Sequence, residues 1–333
     1  MTGRILIVRL GSLGDLVHTL PAVSALRRAN PNAEIDWLVD GPHREFLELV
    51  PIISRLIVLR RRGAGGWLDA IKEVRPRKYD LAADFQGLVK SAMLARFSGA
   101  KRVVGFGRAA LRESFAASFY SESVDVREGQ HVVHKNLALA TALGARESAQ
   151  LEFPIGPVQS PAVDAFAGAD ARPFVLLNPG AAWPNKRWPA DRLGLVAKSV
   201  RERHGLDSVV LWGPDEQSSA DEAVRQSGGA ARLAPPTGLK DLIALARRAR
   251  LIVSGDTGPL HIASAVGVPA VSLFGPTNPA RNGPWDPKDV SISLYESCSC
   301  HYQRQCRLSA GDWCLGHVTV DQVIAAIDRR LAC

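Results

Sequence analysis

In this 333-residue sequence the side chains best suited to acid–base work and anion binding sit in turns that follow strand-like runs. The first run, Arg4-Ile-Leu-Ile-Val-Arg9, has the pattern of a buried strand. Leu10-Gly11-Ser12-Leu13-Gly14-Asp15 then turns it into a helix carrying Leu16, Leu20, Val23 and Leu26. Such a loop lies at the carboxyl end of its strand, where open α/β sheets bind ligands and helix N-termini offer unpaired N–H groups to anions. Asp15 is an acid in that place and repels a phosphate. Gly11-x-x-Gly14 also falls short of the dinucleotide fingerprint, so hydride transfer is disfavoured. Two roles stay open for Asp15: a helix cap that favours the dipole, or a general base that takes a proton from an attacking hydroxyl. Pro21, inside the helix, removes a backbone donor and predicts a kink.

A second group of turns suits an anion. Phe174-Val-Leu-Leu-Asn-Pro-Gly180 runs into a loop bearing Lys186 and Arg187, an ammonium and a guanidinium able to face a diphosphate. A solvated loop anchored by Trp183 and Trp188 is the alternative. Leu251-Ile-Val-Ser-Gly-Asp-Thr-Gly-Pro-Leu-His261 reads as strand, tight turn and helix start, with Pro259 where a first helical turn tolerates it. Thr257 and Gly258 are placed to donate to a leaving diphosphate, and Asp256 either orders the turn or holds a substrate hydroxyl. His261 is a packed residue or a ligand contact. The turn at Trp212, Gly213 and Glu216 either meets a nucleoside or sugar, or is plain turn chemistry from Gly213, Pro214 and Asp215.

Positioning these turns takes an α/β fold. β-branched or leucine-rich runs alternate with amphipathic stretches, the pattern of parallel sheets built from βαβ units. Strands are expected at 4–9, 34–39, 57–59, 81–84 and 102–105, and again at 174–178, 208–212, 251–254 and 270–274. The stretch 159–172 is rich in Ala, Pro, Gly and Asp without apolar periodicity, which places a domain boundary there. The expectation is a first domain over 1–160, a second over 173–318, and an interdomain cleft. Val320, Val323, Ile324, Ile327 and Leu331 have helical spacing, predicting a closing amphipathic helix over 319–333.

Hydrophobic residues at 46% and charged residues at 22% describe packed globular domains, and the length suggests two of them. The apolar run Ile5 to Val8 is too short for a signal peptide, and Pro259 to Gly275 is too interrupted to span a bilayer. A cytoplasmic protein with at most peripheral membrane contact is expected. A net charge of +8 suggests an anionic partner. Nucleic acid is disfavoured by the absence of zinc-finger or RNA-binding signatures and by 6% aromatic content.

Four segments in order, Gly11-Ser-Leu-Gly-Asp-Leu-Val-His-Thr-Leu-Pro21, Asp84-Phe-Gln-Gly-Leu-Val-Lys-Ser91, Lys186-Arg-Trp-Pro189 and Asp256-Thr-Gly-Pro-Leu-His261, resemble glycosyltransferase family 9, the heptosyltransferases. Each is weak alone; together they span nearly the whole chain. The resemblance implies a GT-B fold of two Rossmann-like domains whose parallel sheets face the cleft, with the closing helix over 319–333 packing back on the first domain. It also implies inverting transfer of heptose from ADP-heptose to an anionic glycolipid, Kdo-lipid A, on the inner face of the cytoplasmic membrane, with no cofactor. By the same resemblance Asp15 is the base and Lys186 stabilises departing ADP. Asp256, Thr257, Gly258 and His261 match the family's donor-binding turn, and Arg60, Arg61, Arg62 and Arg112 stand where it carries basic residues for the acceptor; Gly180, Trp212, Gly213 and Glu216 are further donor-binding candidates, and Gly14 and Gln86 further acceptor-binding ones. A sibling enzyme acting on a later core heptose or on a protein, or a non-catalytic nucleotide-sugar binding module, are the alternatives.

From the residues themselves, Arg60-Arg61-Arg62 is either a solvated face or a patch for a phosphorylated acceptor. No Asp-x-Asp pair occurs, so no carboxylate clamp for a divalent metal is expected. Cys298, Cys300, Cys306 and Cys314 cluster without a standard zinc spacing. Reduced thiols are the expectation there, with a structural metal as the alternative.

Overall fold

The computed structural model describes residues 3–60, 63–127, 129–146, 148, 150–168, 172–236, 238–308 and 313–332. The chain divides into two compact units, Met1–Pro157 and Val158–Cys333.

In the first unit the strands are β1 (Arg4–Val8), β2 (Glu34–Asp40), β3 (Arg55–Leu59), β4 (Leu81–Asp84), β5 (Arg102–Phe106) and β6 (Glu122–Val124). Between and after them lie α1 (Leu13–Ala29), α2 (Arg44–Leu47), α3 (Ala64–Val74), α4 (Val89–Phe97) and α5 (Val132–Ala142). The sheet order is β3-β2-β1-β4-β5-β6, and every pairing is parallel. This is the doubly wound order whose reversal, between β1 and β4, opens a crevice at the strands' carboxyl ends. Leu6, Ile7 and Val8 are fully buried, as a central parallel strand covered on both faces requires. Helix α1 runs through Pro21 as one element.

The second unit repeats the plan. Its helices are α6 (Pro161–Ala167), α7 (Ala190–His204), α8 (Gln217–Gln226), α9 (Leu239–Arg248), α10 (Gly258–Ala265), α11 (Pro279–Asn282) and α12 (Val320–Leu331). Its strands are β7 (Phe174–Asn178), β8 (Asp207–Val210), β9 (Ala231–Leu233), β10 (Ala249–Gly255), β11 (Ala270–Phe274) and β12 (Val290–Ser293), ordered β12-β11-β10-β7-β8-β9 and all parallel. The order again reverses beside the unit's first strand, between β7 and β10.

The boundary falls at residue 157, and the supposed linker holds α6, capped by the Ser160 hydroxyl accepting from Val163 N–H at 3.1 Å and packed on α9. The closing helix α12 places Val323, Ile324, Ala326 and Ile327 in the core of the second unit, against α7, β11 and β12. The short strands β6, β9 and β12 were not read from the sequence.

Candidate active site

At the end of β1, Arg9 is buried, 7% exposed, and its guanidinium points back across the sheet. Nη1 donates to the Phe85 carbonyl, and Nη2 meets Asp15 Oδ1 at 2.6 Å. The other carboxylate oxygen, Oδ2, accepts from the Ser12 backbone N–H at 2.9 Å and its hydroxyl at 3.2 Å. This geometry is compatible with both readings of Asp15. Asp15 satisfies the N-cap residue of α1 and also stands as an oriented carboxylate whose side chain remains 36% exposed.

Neighbouring strand ends support this loop. Gln86 Oε1 accepts from Leu10 N–H at 3.0 Å, and the Trp37 indole donates to the Arg9 carbonyl at 2.9 Å. The Gln86 turn is fixed in turn by Asp84. This buried carboxylate accepts from the N–H groups of Gln86 and Gly87 and from the hydroxyls of Ser91 and Tyr120. Burial raises the Asp84 pKa against those four donors. His43, after β2, packs so closely on Gly11 that a Cβ there would lie 2.6 Å from Nε2. Burial lowers the His43 pKa, outweighing Asp40 and Asp15, which pull it up. The imidazole therefore stays neutral at neutral pH. His43 and Arg9 were missed in the sequence; the small residue at Gly11 was the one available signal for the former.

The parallel register brings Asp15, His43, Arg60, Gln86 and Arg112 to one edge of the first sheet, after β1, β2, β3, β4 and β5. Gly14 is buried in the first turn of α1, while Arg60 and Arg112 are exposed. Glu113 accepts from Val89 N–H at 2.7 Å at the start of α4. Arg61 and Arg62 lie outside the described residues.

In the second unit, Lys186 follows β7 and Asp256 follows β10, the two strands flanking the order reversal. Lys186 Nζ lies 2.6 Å from Asp256 Oδ2 and 4.4 Å from the centre of the Trp183 ring. Asp256 Oδ2 also accepts from the Thr277 hydroxyl at 2.8 Å, and Oδ1 lies 3.1 Å from His261 Nε2. Burial by itself would raise the Asp256 pKa; the hydrogen bonds and charges of His261 and Lys186 overcome it and hold the carboxyl far below the usual range. Of the two roles open for Asp256, the geometry favours ordering: both oxygens are committed to protein, and they aim Lys186.

The turn is braced from β7. Asn178 Nδ2 donates to the hydroxyls of Ser254 and Thr257, each at 3.0 Å, and Thr257 is the N-cap of α10. A Cβ on Gly255 would come within 2.6 Å of the Lys186 carbonyl, and one on Gly180 within 2.1 Å of the Glu216 carboxylate. Glu216 accepts from Gly213 N–H at 3.0 Å, so Gly180, Gly213 and Glu216 form one packed corner. Trp212 is different. Its indole N–H donates to the Ala234 carbonyl at 2.8 Å and its ring packs against the core, leaving no polar atom for a ligand. Arg187 Nε is likewise used on the Ala181 carbonyl at 2.9 Å.

The first unit thus presents an oriented carboxylate, and the second an aimed ammonium beside a helix N-terminus. Residues 67–310 match the family described as glycosyltransferase family 9 (heptosyltransferase). The sequence is 32% identical to lipopolysaccharide heptosyltransferase 1 of Pseudomonas aeruginosa, over 91% of this chain and 87% of that one. It is 25% identical to lipopolysaccharide heptosyltransferase 3 of Escherichia coli, over 96% of both. The fold is similar to that of a family 9 glycosyltransferase from Veillonella parvula, with TM-score 0.82, 24% identity and coverage of 99% and 97%. It is also similar to E. coli heptosyltransferase WaaC with ADP-2-deoxy-2-fluoro heptose, with TM-score 0.77, 23% identity and coverage of 98% and 99%.

Proposed function

Because this chain belongs to glycosyltransferase family 9, we propose that it moves L-glycero-D-manno-heptose from ADP-heptose to Kdo-lipid A, building the inner core of lipopolysaccharide. It is a glycosyltransferase, and its relatives place it among the heptosyltransferases of lipopolysaccharide core synthesis. The choice of acceptor is supported by its higher identity to heptosyltransferase 1 than to heptosyltransferase 3.

The observation that carries the mechanism is the double anchoring of Asp15, one oxygen on Ser12 and the other on Arg9, with the side chain still exposed. In the reaction Asp15 takes the proton of an acceptor hydroxyl as its oxygen attacks the anomeric carbon of heptose. The bond from that carbon to the diphosphate oxygen breaks on the opposite face, so configuration inverts and ADP leaves. The departing charge is met by the Lys186 ammonium and by backbone N–H groups at the start of α10. Pro259 offers none, which leaves Gly258 and the residues beyond it. Lys186 exchanges part of its bond to Asp256 for one to phosphate, so Asp256 acts by presenting it. Gly180, Gly213 and Glu216 shape the corner for the sugar or nucleoside. Arg60, Arg61, Arg62 and Arg112 face the phosphates and carboxylates of the acceptor, which the charge of +8 favours, and the same charge supports peripheral contact with an anionic membrane surface. No helix among the described residues is long and apolar enough to cross a membrane.

The test is ADP release from ADP-heptose with Kdo-lipid A, and in parallel with an acceptor already bearing one heptose. Turnover on the first alone supports the proposal; turnover on the second alone replaces it with a later-acting sibling. Asp15→Ala should keep donor binding and lose kcat by about 10³-fold or more. Near-normal turnover in that variant removes the base assignment, and no turnover by wild type on any acceptor leaves a donor-binding module.

A further inference from the structure

Cys298, Cys300, Cys306 and Cys314 form no disulfide, and among the described residues no group of three or more His, Cys, Asp or Glu could hold a metal ion. The feature that the chemistry above leaves without a role lies in the first unit. Residues 60–119 carry 13 lysines and arginines against five acids, an excess of eight that equals the net charge of the whole chain. The rest of the sequence is balanced, so the positive field belongs to this stretch.

The helices of the stretch form one layer. Helix α3 packs on α4, and α4 on a short 3₁₀ helix, Ser114–Phe119. Ala70 and Val74 of α3 share a core with Leu94 and Ala95 of α4 against Leu6 and Val8 of β1, so they cover the same face of the sheet. Both helices begin at the carboxyl ends of strands, the edge that carries Arg60, Gln86 and Arg112. Two large apolar side chains stand out from the layer at that edge: Leu68, in the first turns of α3, is 57% exposed, and Phe115 is 63% exposed. Glu113, two residues before Phe115, binds the start of α4 and so holds Phe115 at the same edge. The Phe115 ring stands edge-on to that of Phe119, 5.7 Å between centres, an aromatic pair that is ordered without being covered. Arg108 Nη2 donates to the Ser118 hydroxyl at 3.2 Å, which sets an exposed guanidinium against the same short helix.

Apolar side chains beside arginines suit the boundary of a bilayer, where the rings reach the acyl region and the guanidinium groups reach phosphate. We propose that this edge of the first unit docks on an anionic phospholipid surface, with Leu68 and Phe115 entering the headgroup boundary and Arg108 on lipid phosphate. The proposal rests on the reading of a glycolipid acceptor, because it brings the membrane that holds the acceptor to the edge that carries Asp15. Single exposed apolar residues are ordinary on any protein; the charge excess and the shared edge select the occupant. A second copy of the chain fits poorly, since a two-fold pairing of this face sets its positive excess against itself.

The experiment is co-sedimentation of the full chain with vesicles of phosphatidylethanolamine and phosphatidylglycerol that contain no sugar acceptor, beside vesicles of phosphatidylcholine alone. Partition onto the anionic vesicles only, weakening as salt is raised, is the expected result. Phe115→Ser with Leu68→Ser should lower that partition about tenfold, with ADP binding and Tm unchanged. If the double variant is unstable, Phe115→Ser alone decides. The KM for Kdo-lipid A in vesicles should rise in step, while kcat/KM for the same acceptor stripped of its acyl chains stays at the wild-type value. Absence of partition by wild type, or partition at the wild-type level in the variant, overturns the proposal. Dimers in sedimentation velocity that Phe115→Ser dissolves, in a chain that ignores vesicles, give the face to a second copy and overturn it too. Because the vesicles lack acceptor, binding is read apart from turnover: a wild type that binds them but transfers nothing to Kdo-lipid A refutes the acceptor reading and leaves the docking surface supported.

Discussion

The guanidinium of Arg9 and the carboxylate of Asp15 form a 2.6 Å ion pair in which the cation is buried and the anion is not. The asymmetry matters because the Arg9 fork is fixed by the Phe85 carbonyl, so its second nitrogen sets the direction of the Asp15 carboxylate. As the proposed base, a carboxylate held in this way keeps one face for a substrate hydroxyl.

Arg9→Met removes that support while leaving a similar volume. We expect kcat to fall about 10²-fold through misplacement of the base, with donor KM little changed. The unpaired Phe85 carbonyl and Asp15 should cost about 1–3 kcal/mol of stability. Arg9→Lys should recover part of kcat. Steady-state kinetics on both substrates with a denaturant melt check this; a variant with wild-type kcat rules out a positioning role.

His43 yields a pH signature. Its folded pKa lies below the ordinary value of 6.5, so the unfolded chain binds more protons between the two values. Stability from keeping it neutral is complete above about 6.5 and is lost as pH falls toward the folded pKa. His43→Gln should flatten the stability–pH curve in that interval. Melting temperatures measured from neutral pH downward for both proteins decide it, and parallel curves would discard the assignment.

Asp256 behaves in the acid range. Its folded pKa is depressed below 3.8, so its contribution is present above that value and disappears as pH drops below it. Asp256→Asn strips Lys186 and His261 of their shared partner inside the protein. A loss of about 3–5 kcal/mol is expected, with weaker ADP binding. Calorimetry of ADP binding together with thermal melts provides the check, and unchanged values in both contradict the bracing role.

In the proposed mechanism the Lys186 ammonium meets the leaving diphosphate in place of a divalent metal. Turnover should therefore persist in excess EDTA over the course of an assay, while Lys186→Met lowers kcat about 10²–10³-fold. Activity lost in EDTA and restored by magnesium contradicts this.

Much of this was written in the chain order. Buried central strands such as Arg4–Val8 and Phe174–Asn178 announce themselves as continuous apolar runs, because a parallel strand covered on both faces has no polar side. The turns that follow carry Asp15, Lys186 and Asp256 in recognisable segments. The edge strands Glu122–Val124, Ala231–Leu233 and Val290–Ser293 were silent, being short and half exposed. Helix α6 was hidden in a stretch whose composition reads as a linker.

The sequence by itself determined the two α/β halves, the family and the residues with chemistry to offer. Tertiary structure decided which of them act on one another. Arg9 reaches Asp15, Gln86 reaches Leu10 and Asn178 reaches Thr257 because parallel strands distant in sequence end side by side. The same packing turned Trp212 toward the core and gave the apolar face of α12 to the second unit, since helical spacing records that a face is buried without recording against what.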